Sequence, residues 1–116
     1  WRQALDAGSV LAFGSDFPVE PPDPRLGLWA ATARTPNGTH TPWMPEQALS
    51  LEETLRAFTW GAAFAERREQ RRGLIRAGHD ADLTIFATDP AALAPEALRT
   101  IDVIGSVVAG HFAQTP

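Results

Sequence analysis

The chain has 116 residues, ten basic side chains, all of them Arg, and fourteen acidic ones, for a net charge of −4. That acidic balance excludes a general nucleic-acid binder, and a hydrophobic content of 44% excludes a disordered chain. The absence of Cys excludes a disulfide scaffold, a Cys-ligated zinc module and a thiol nucleophile, and says of compartment only that it fits a reducing one; a cytoplasmic location is the expectation.

Trp1 to Ala7 places Trp1, Ala4 and Leu5 on one helical face, with Gly8 as the stop. The opening lacks both an initiator Met and a signal-peptide pattern, which implies a chain that begins inside a larger protein. No apolar run approaches the roughly 18 residues of a membrane span, so no membrane partner is expected. Val10 to Phe13 is continuously apolar and predicts a strand buried on both faces, as in a parallel sheet covered by helices. From Glu20 to Gln47 turn formers dominate, among them Pro21, Pro22, Pro24, Pro36, Gly38 and Pro42, around one short amphipathic helix at Leu26 to Ala33. A loop that long is expected to be functional or mobile.

Ser50-Leu51-Glu52-Glu53 is a capping box, and Leu51, Leu55, Phe58 and Ala62 follow at helical spacing, predicting a helix that runs to Gly73. The pattern then changes to strands. Ala81 to Ala87 alternates, Ala91 to Arg99 predicts a short helix, and Ile101–Val108 and His111–Ala113 flank a two-residue hairpin signal at Ala109-Gly110.

Asp16 is the first candidate for chemistry, because it stands at the carboxyl end of an apolar strand, where barrels and open α/β sheets carry their sites. A carboxylate there either binds a metal ion and accepts a proton from water, or caps the turn that follows. Ser15, Phe17, Pro18, His40 and Trp43 are candidates for a substrate pocket. Trp43 has a better claim to an aromatic pocket than Trp29 or Trp60, and Trp60 reads as helix packing. The histidines His40, His79 and His111 form no H-x-H or H-x-x-x-H pair and read as surface residues. Glu66 to Arg72 reads as the solvated, Arg-rich end of the long helix rather than a phosphate site.

Taken together, Gly14-Ser15-Asp16-Phe17-Pro18-Val19, Ser50 to Ala63, Gly73 to Leu83 and Val107 to His111 resemble, in order, four motifs of the amidohydrolase superfamily. The similarity is strongest to amidohydrolase family 3, the branch that includes formamide-deformylase-like enzymes. His79 departs from the usual Lys of that pattern, and Ala109 from the usual Gly.

The resemblance implies an α/β fragment: the C-terminal strand and helix of a (β/α)8 TIM-type barrel over residues 1–72, then strands of a small β-sandwich domain over 73–116. It implies hydrolysis of a non-peptide C–N bond in a small amide-like substrate. Asp16 would be both metal ligand and general base, with zinc or another divalent metal, while the other ligands come from the remainder of the barrel. A non-catalytic regulatory or binding member of the same fold is the alternative. Standing alone, the chain is expected to be inactive and aggregation-prone; its oligomeric state is left open.

Overall fold

The computed structural model describes residues 1–37 and 39–113; Gly38 of the turn-rich segment and residues 114–116 of the C-terminal region lie outside them. Helix α1 (Arg2–Asp6) ends as expected at Gly8, whose φ of 85° only Gly adopts freely. The Gly8 N–H reaches the Leu5 carbonyl and the Ser9 N–H the Ala4 carbonyl, the paired bonds of a Schellman stop.

Val10 to Phe13 forms no strand, and Val10 is 45% exposed, against the buried strand expected from its composition. Apolarity permits a strand, but pairing makes one, and among the described residues this segment has no strand beside it. Its Phe13 N–H is bonded instead to a helix carbonyl, that of Ala57, at 3.1 Å.

The turn-rich stretch does contain the expected helix, lengthened at its start: α2 spans Pro24–Ala33. The Asp23 carboxylate accepts the Arg25 N–H at 3.0 Å while Pro24 occupies the first turn, where its missing N–H costs nothing. Leu28, Trp29, Ala31 and Ala33 are buried, so α2 is a core element rather than part of a mobile loop. It packs on a 3₁₀ segment, Pro95–Thr100, through Leu98, with Ile101 buried beside it, and on the next helix.

That helix starts at its capping box. Ser50 Oγ accepts the Glu53 N–H at 3.2 Å, and the Ser50 N–H donates to Glu53 Oε2 at 2.8 Å. It comprises α3 (Leu51–Arg56), a π-helical turn (Ala57–Gly61) and α4 (Ala62–Ala65). The expected stripe of Leu51, Leu55, Phe58 and Ala62 is only half-buried; the buried face is Thr54, Ala57 and Gly61. Small side chains let neighbouring backbone come close on that side, which a hydrophobicity pattern does not register.

The helix also ends eight residues short of Gly73. Arg67 takes a left-handed φ of 60°, its N–H bonds the Phe64 carbonyl, and the Arg68 N–H bonds the Ala63 carbonyl, so an Arg stands where a Schellman stop usually has Gly. Arg71 and Arg72 are therefore not on a helix end but in a turn, both bonded to Asp80, whose carboxyl they hold below the usual carboxylate range. Gly73 is needed for proximity: a Cβ there would stand 2.6 Å from Trp60 Cα.

Strands β1 (Leu83–Phe86), β2 (Val103–Val108) and β3 (His111–Ala113) form one antiparallel sheet in that order, as the pattern predicts. The register shifts by one residue between Ile85 and Phe86. Phe112 lays its ring over Gly105, 2.7 Å from where a Cβ would be, and so covers the backbone that a side chain would otherwise shield. The predicted helix at 91–99 is instead two 3₁₀ turns, Pro90–Ala92 and Pro95–Thr100. Pro95 drives Ala94 out of the helical region, to ψ 150°. No helix among the described residues is long and apolar enough to cross a membrane.

Ala109 and Gly110 both have positive φ, 51° and 81°, the two-residue turn that favours Asn-Gly. Ala109→Asn should therefore stabilise the hairpin by about 1 kcal/mol, read as slower amide exchange at Val108 and His111. Glu53 also receives the Arg2 guanidinium on both carboxylate oxygens, and its pKa falls to about 2, chiefly through that hydrogen-bonded pair. A depressed carboxylate stabilises above its unfolded value and loses that contribution as pH falls. Glu53→Gln, which keeps the cap bond, should remove the stability change between pH 4.5 and about 2 and leave the rest of the pH profile in place.

Candidate functional site

Extended backbone through Ser15 delivers the chain to a tight turn over Asp16–Val19, closed by the Val19 N–H on the Asp16 carbonyl at 2.8 Å. The Phe17–Pro18 peptide within it is cis. Asp16 itself has a φ of 55°, a left-handed conformation that Asp tolerates better than most side chains. The turn is thus closed by backbone, and among the described residues the exposed Asp16 carboxylate has no hydrogen-bond or ion-pair partner. A carboxylate that capped the turn would accept one of the N–H groups that follow it.

Beside the turn lies a cavity of about 280 Å³. Gly14, Ser15 and Glu20 line one side, Leu26, Gly27 and Trp29 of α2 another, and Phe58, Asn37 and Arg99 close it. Asp23 at its rim is held ionised, below the usual carboxylate range, first by hydrogen bonds from Arg25, which also donates to the Ile101 carbonyl at 3.0 Å. Arg99 stacks over the Trp29 ring at 4.7 Å, so its charge covers an aromatic wall.

Of the candidates named from the sequence, Ser15 lines this cavity; Asp16, Phe17, Pro18, His40 and Trp43 do not, and all five are exposed. Trp43 is placed by Arg34, the left-handed residue that ends α2. Its N–H bonds the Arg34 carbonyl at 2.7 Å, and the Arg34 guanidinium lies 5.0 Å from the Trp43 ring and 4.4 Å from that of Trp1. The aromatic wall of this cavity is Trp29. Trp29 sits on the buried face of α2, a placement open to recognition once that helix starts at Asp23-Pro24. Phe58 and Arg99 come from distant parts of the chain, and no local signal marks them. Trp60 stays on its own helix, stacked with Phe64 at 5.3 Å.

His40 and His111 are exposed and His79 is half-buried, with no group of three His, Cys, Asp or Glu side chains among the described residues arranged to hold a metal ion.

Residues 1–113 match the profile of the Amidohydrolase family. YtcJ of Bacillus subtilis (strain 168), whose name assigns it provisionally to the amidohydrolases, is 32% identical over 114 residues, covering 97% of this chain and 22% of that protein. The N-substituted formamide deformylase of Arthrobacter pascens is 36% identical over 109 residues, 94% of this chain and 20% of that protein. An imidazolonepropionase of Kosmotoga olearia is 28% identical over 113 residues, 95% of this chain and 25% of that protein. No solved structure gives a significant match. The chain therefore spans about a fifth to a quarter of the length of these relatives. With residues 1–113 of its 116 matched to the family profile and two relatives above 30% identity, the chain belongs to the amidohydrolase family.

Proposed function

We propose that the chain is the C-terminal part of a metal-dependent hydrolase that cleaves a non-peptide C–N bond in a small amide-like molecule, with Asp16 as its general base. The observation that carries this reading is the Asp16 carboxylate: exposed, without a partner among the described residues, and one residue from a cavity that begins at Ser15. Membership of the amidohydrolase family, and relatives named as a deformylase and an imidazolonepropionase, supports the reaction class.

An oxygen donor of this kind suits one position around a divalent cation, zinc in the first instance, with the remaining ligands supplied from outside this chain. Such an ion, when bound, polarises the scissile carbonyl and lowers the pKa of the attacking water. Asp16 takes the proton that the water loses as its oxygen bonds to the carbonyl carbon. The same carboxyl then protonates the nitrogen as the C–N bond breaks. Ser15, Phe17, Pro18, His40 and Trp43 would face the substrate around it.

The same reading makes Val10–Phe13 the last strand of a (β/α)8 barrel and residues 73–116 the C-terminal part of a small β-sandwich. An apolar segment that lies extended but unpaired, with Val10 45% exposed, supports the first part. The three-stranded sheet, with Ile104, Val108 and Phe112 exposed, supports the second. Pro95–Thr100 would then be the contact by which the second region packs back onto α2. A cytoplasmic location belongs to this reading.

The test is Asp16→Asn in the full-length protein. Asn keeps the size and also accepts a left-handed φ, and no side-chain bond among the described residues is lost. Turnover should fall by about 10²–10⁴-fold, the worth of a general base, with the unfolding midpoint unmoved. Undiminished turnover returns Asp16 to a turn-forming role. A full-length protein that hydrolyses no amide and holds no stoichiometric divalent metal is instead the non-catalytic binding member of the fold.

A further inference from the structure

We infer that Gly61 is a positioning residue for Asp16, acting through the backbone of Val10–Phe13; this inference rests on the reading of Asp16 given above. Within the π-helical turn the Ala57 carbonyl accepts from Ala62 and also from the Phe13 N–H, at 3.1 Å, which binds the segment to the helix. One turn further on, the Leu11 carbonyl oxygen rests on Gly61. A Cβ added to Gly61 would fall on that oxygen, far inside van der Waals contact, with the Leu11 carbonyl carbon 3.1 Å away. Gly61 has ordinary right-handed helical angles, φ −62° and ψ −43°, so conformational freedom is not what the position demands. It demands the absence of a side chain.

Phe13 is gripped as well by its ring, which meets Phe58 edge to face and Trp1 at a tilt, each with centroids 5.5 Å apart. The helix thus holds Leu11 and Phe13 at two backbone points and one aromatic point. Asp16 follows three residues after the last of them, with only Gly14 and Ser15 between. The segment has no strand beside it among the described residues, whereas the helix is held by its own hydrogen bonds, and a cleft of about 210 Å³ opens between Val10–Leu11 and Ala57–Trp60. A side chain at Gly61 will therefore shift the segment before it breaks the helix, and Asp16 will shift with it.

The experiment is Gly61→Ala in the full-length protein, with Asp16→Asn beside it. Ala is the better helix former, so a position that mattered only to the helix would gain stability and keep its turnover. The expected result is the opposite in function: kcat lower by about 10–100-fold, the order of loss that a small misplacement of a reacting group causes. KM should stay within about twofold, the helical circular-dichroism signal should be retained, and exchange at the Phe13 amide should accelerate while Leu55 is unchanged. Full kcat in Gly61→Ala, with Asp16→Asn inactive, overturns the positioning role and leaves the reading of Asp16 intact. Full activity in Asp16→Asn overturns both. If Gly61→Ala does not fold, Phe13→Leu, which keeps the N–H and removes the ring, takes its place. A threefold to tenfold loss of kcat with faster exchange at residue 13 supports the inference, and unchanged kcat overturns it.

Discussion

One face of one helix organises the N-terminal half of this molecule. Glu53, Ala57 and Gly61 follow at intervals of four and so stack along a single line of the helix surface. Each holds a different part of the chain that precedes it. The Glu53 carboxylate takes the Arg2 guanidinium and, with the same group, the Ser50 N–H of its own capping box. The Ala57 carbonyl takes the Phe13 N–H, and Gly61 admits the Leu11 carbonyl. The three contacts differ in kind: a charge pair, a hydrogen bond and a bare backbone surface. Together they lay α1 and the extended segment against the helix, and the exit of that segment is Asp16.

The π-helical turn fits this arrangement. Widening the helix at Ala57–Gly61 changes which carbonyls are used within it, and the Ala57 oxygen there serves two donors, Ala62 and Phe13. π-turns often accompany functional sites, and here the turn faces the segment that carries the candidate carboxylate. The second half of the chain is joined to the first by a different device, the packing of Leu98 and Ile101 against α2, with Arg25 bonded to the Ile101 carbonyl.

What could be read from the sequence was what its neighbours in sequence decide. The Ser50/Glu53 box, the Gly8 stop and the Ala109-Gly110 hairpin are each set by a few adjacent residues, and each is found as expected. The start of α2 is local too, and lay two residues earlier because Asp23-Pro24 is itself a helix-opening pair. Pro95 was an equally local signal whose effect on the predicted 91–99 helix outweighs the propensity of its Ala and Leu residues. The misses that no local rule repairs are tertiary. Arg67 in a position suited to Gly, the small-residue face of Thr54, Ala57 and Gly61, and the meeting of Phe58, Trp29 and Arg99 around one cavity all depend on distant chain. The candidate site divides the same way: Asp16 and Ser15 stand out from their own stretch of sequence, whereas most of the cavity wall does not.

Asp16 combines features that stability alone does not account for. Its left-handed φ costs something for any residue with a Cβ, and a Gly there would avoid the cost. Its carboxylate closes no turn and pairs with no cation among the described residues, so the side chain returns no local stabilisation for that conformation. Residues held in sparsely populated backbone regions persist where the surroundings over-determine them, and they concentrate at functional sites. The over-determination is visible here: Phe13 is fixed by its N–H and by two rings, Leu11 by Gly61, and the turn after Asp16 by a backbone bond. On the reading proposed above, a carboxylate carried on so constrained a stem would meet what a general base needs, a fixed position and lone pairs that no group among the described residues has claimed.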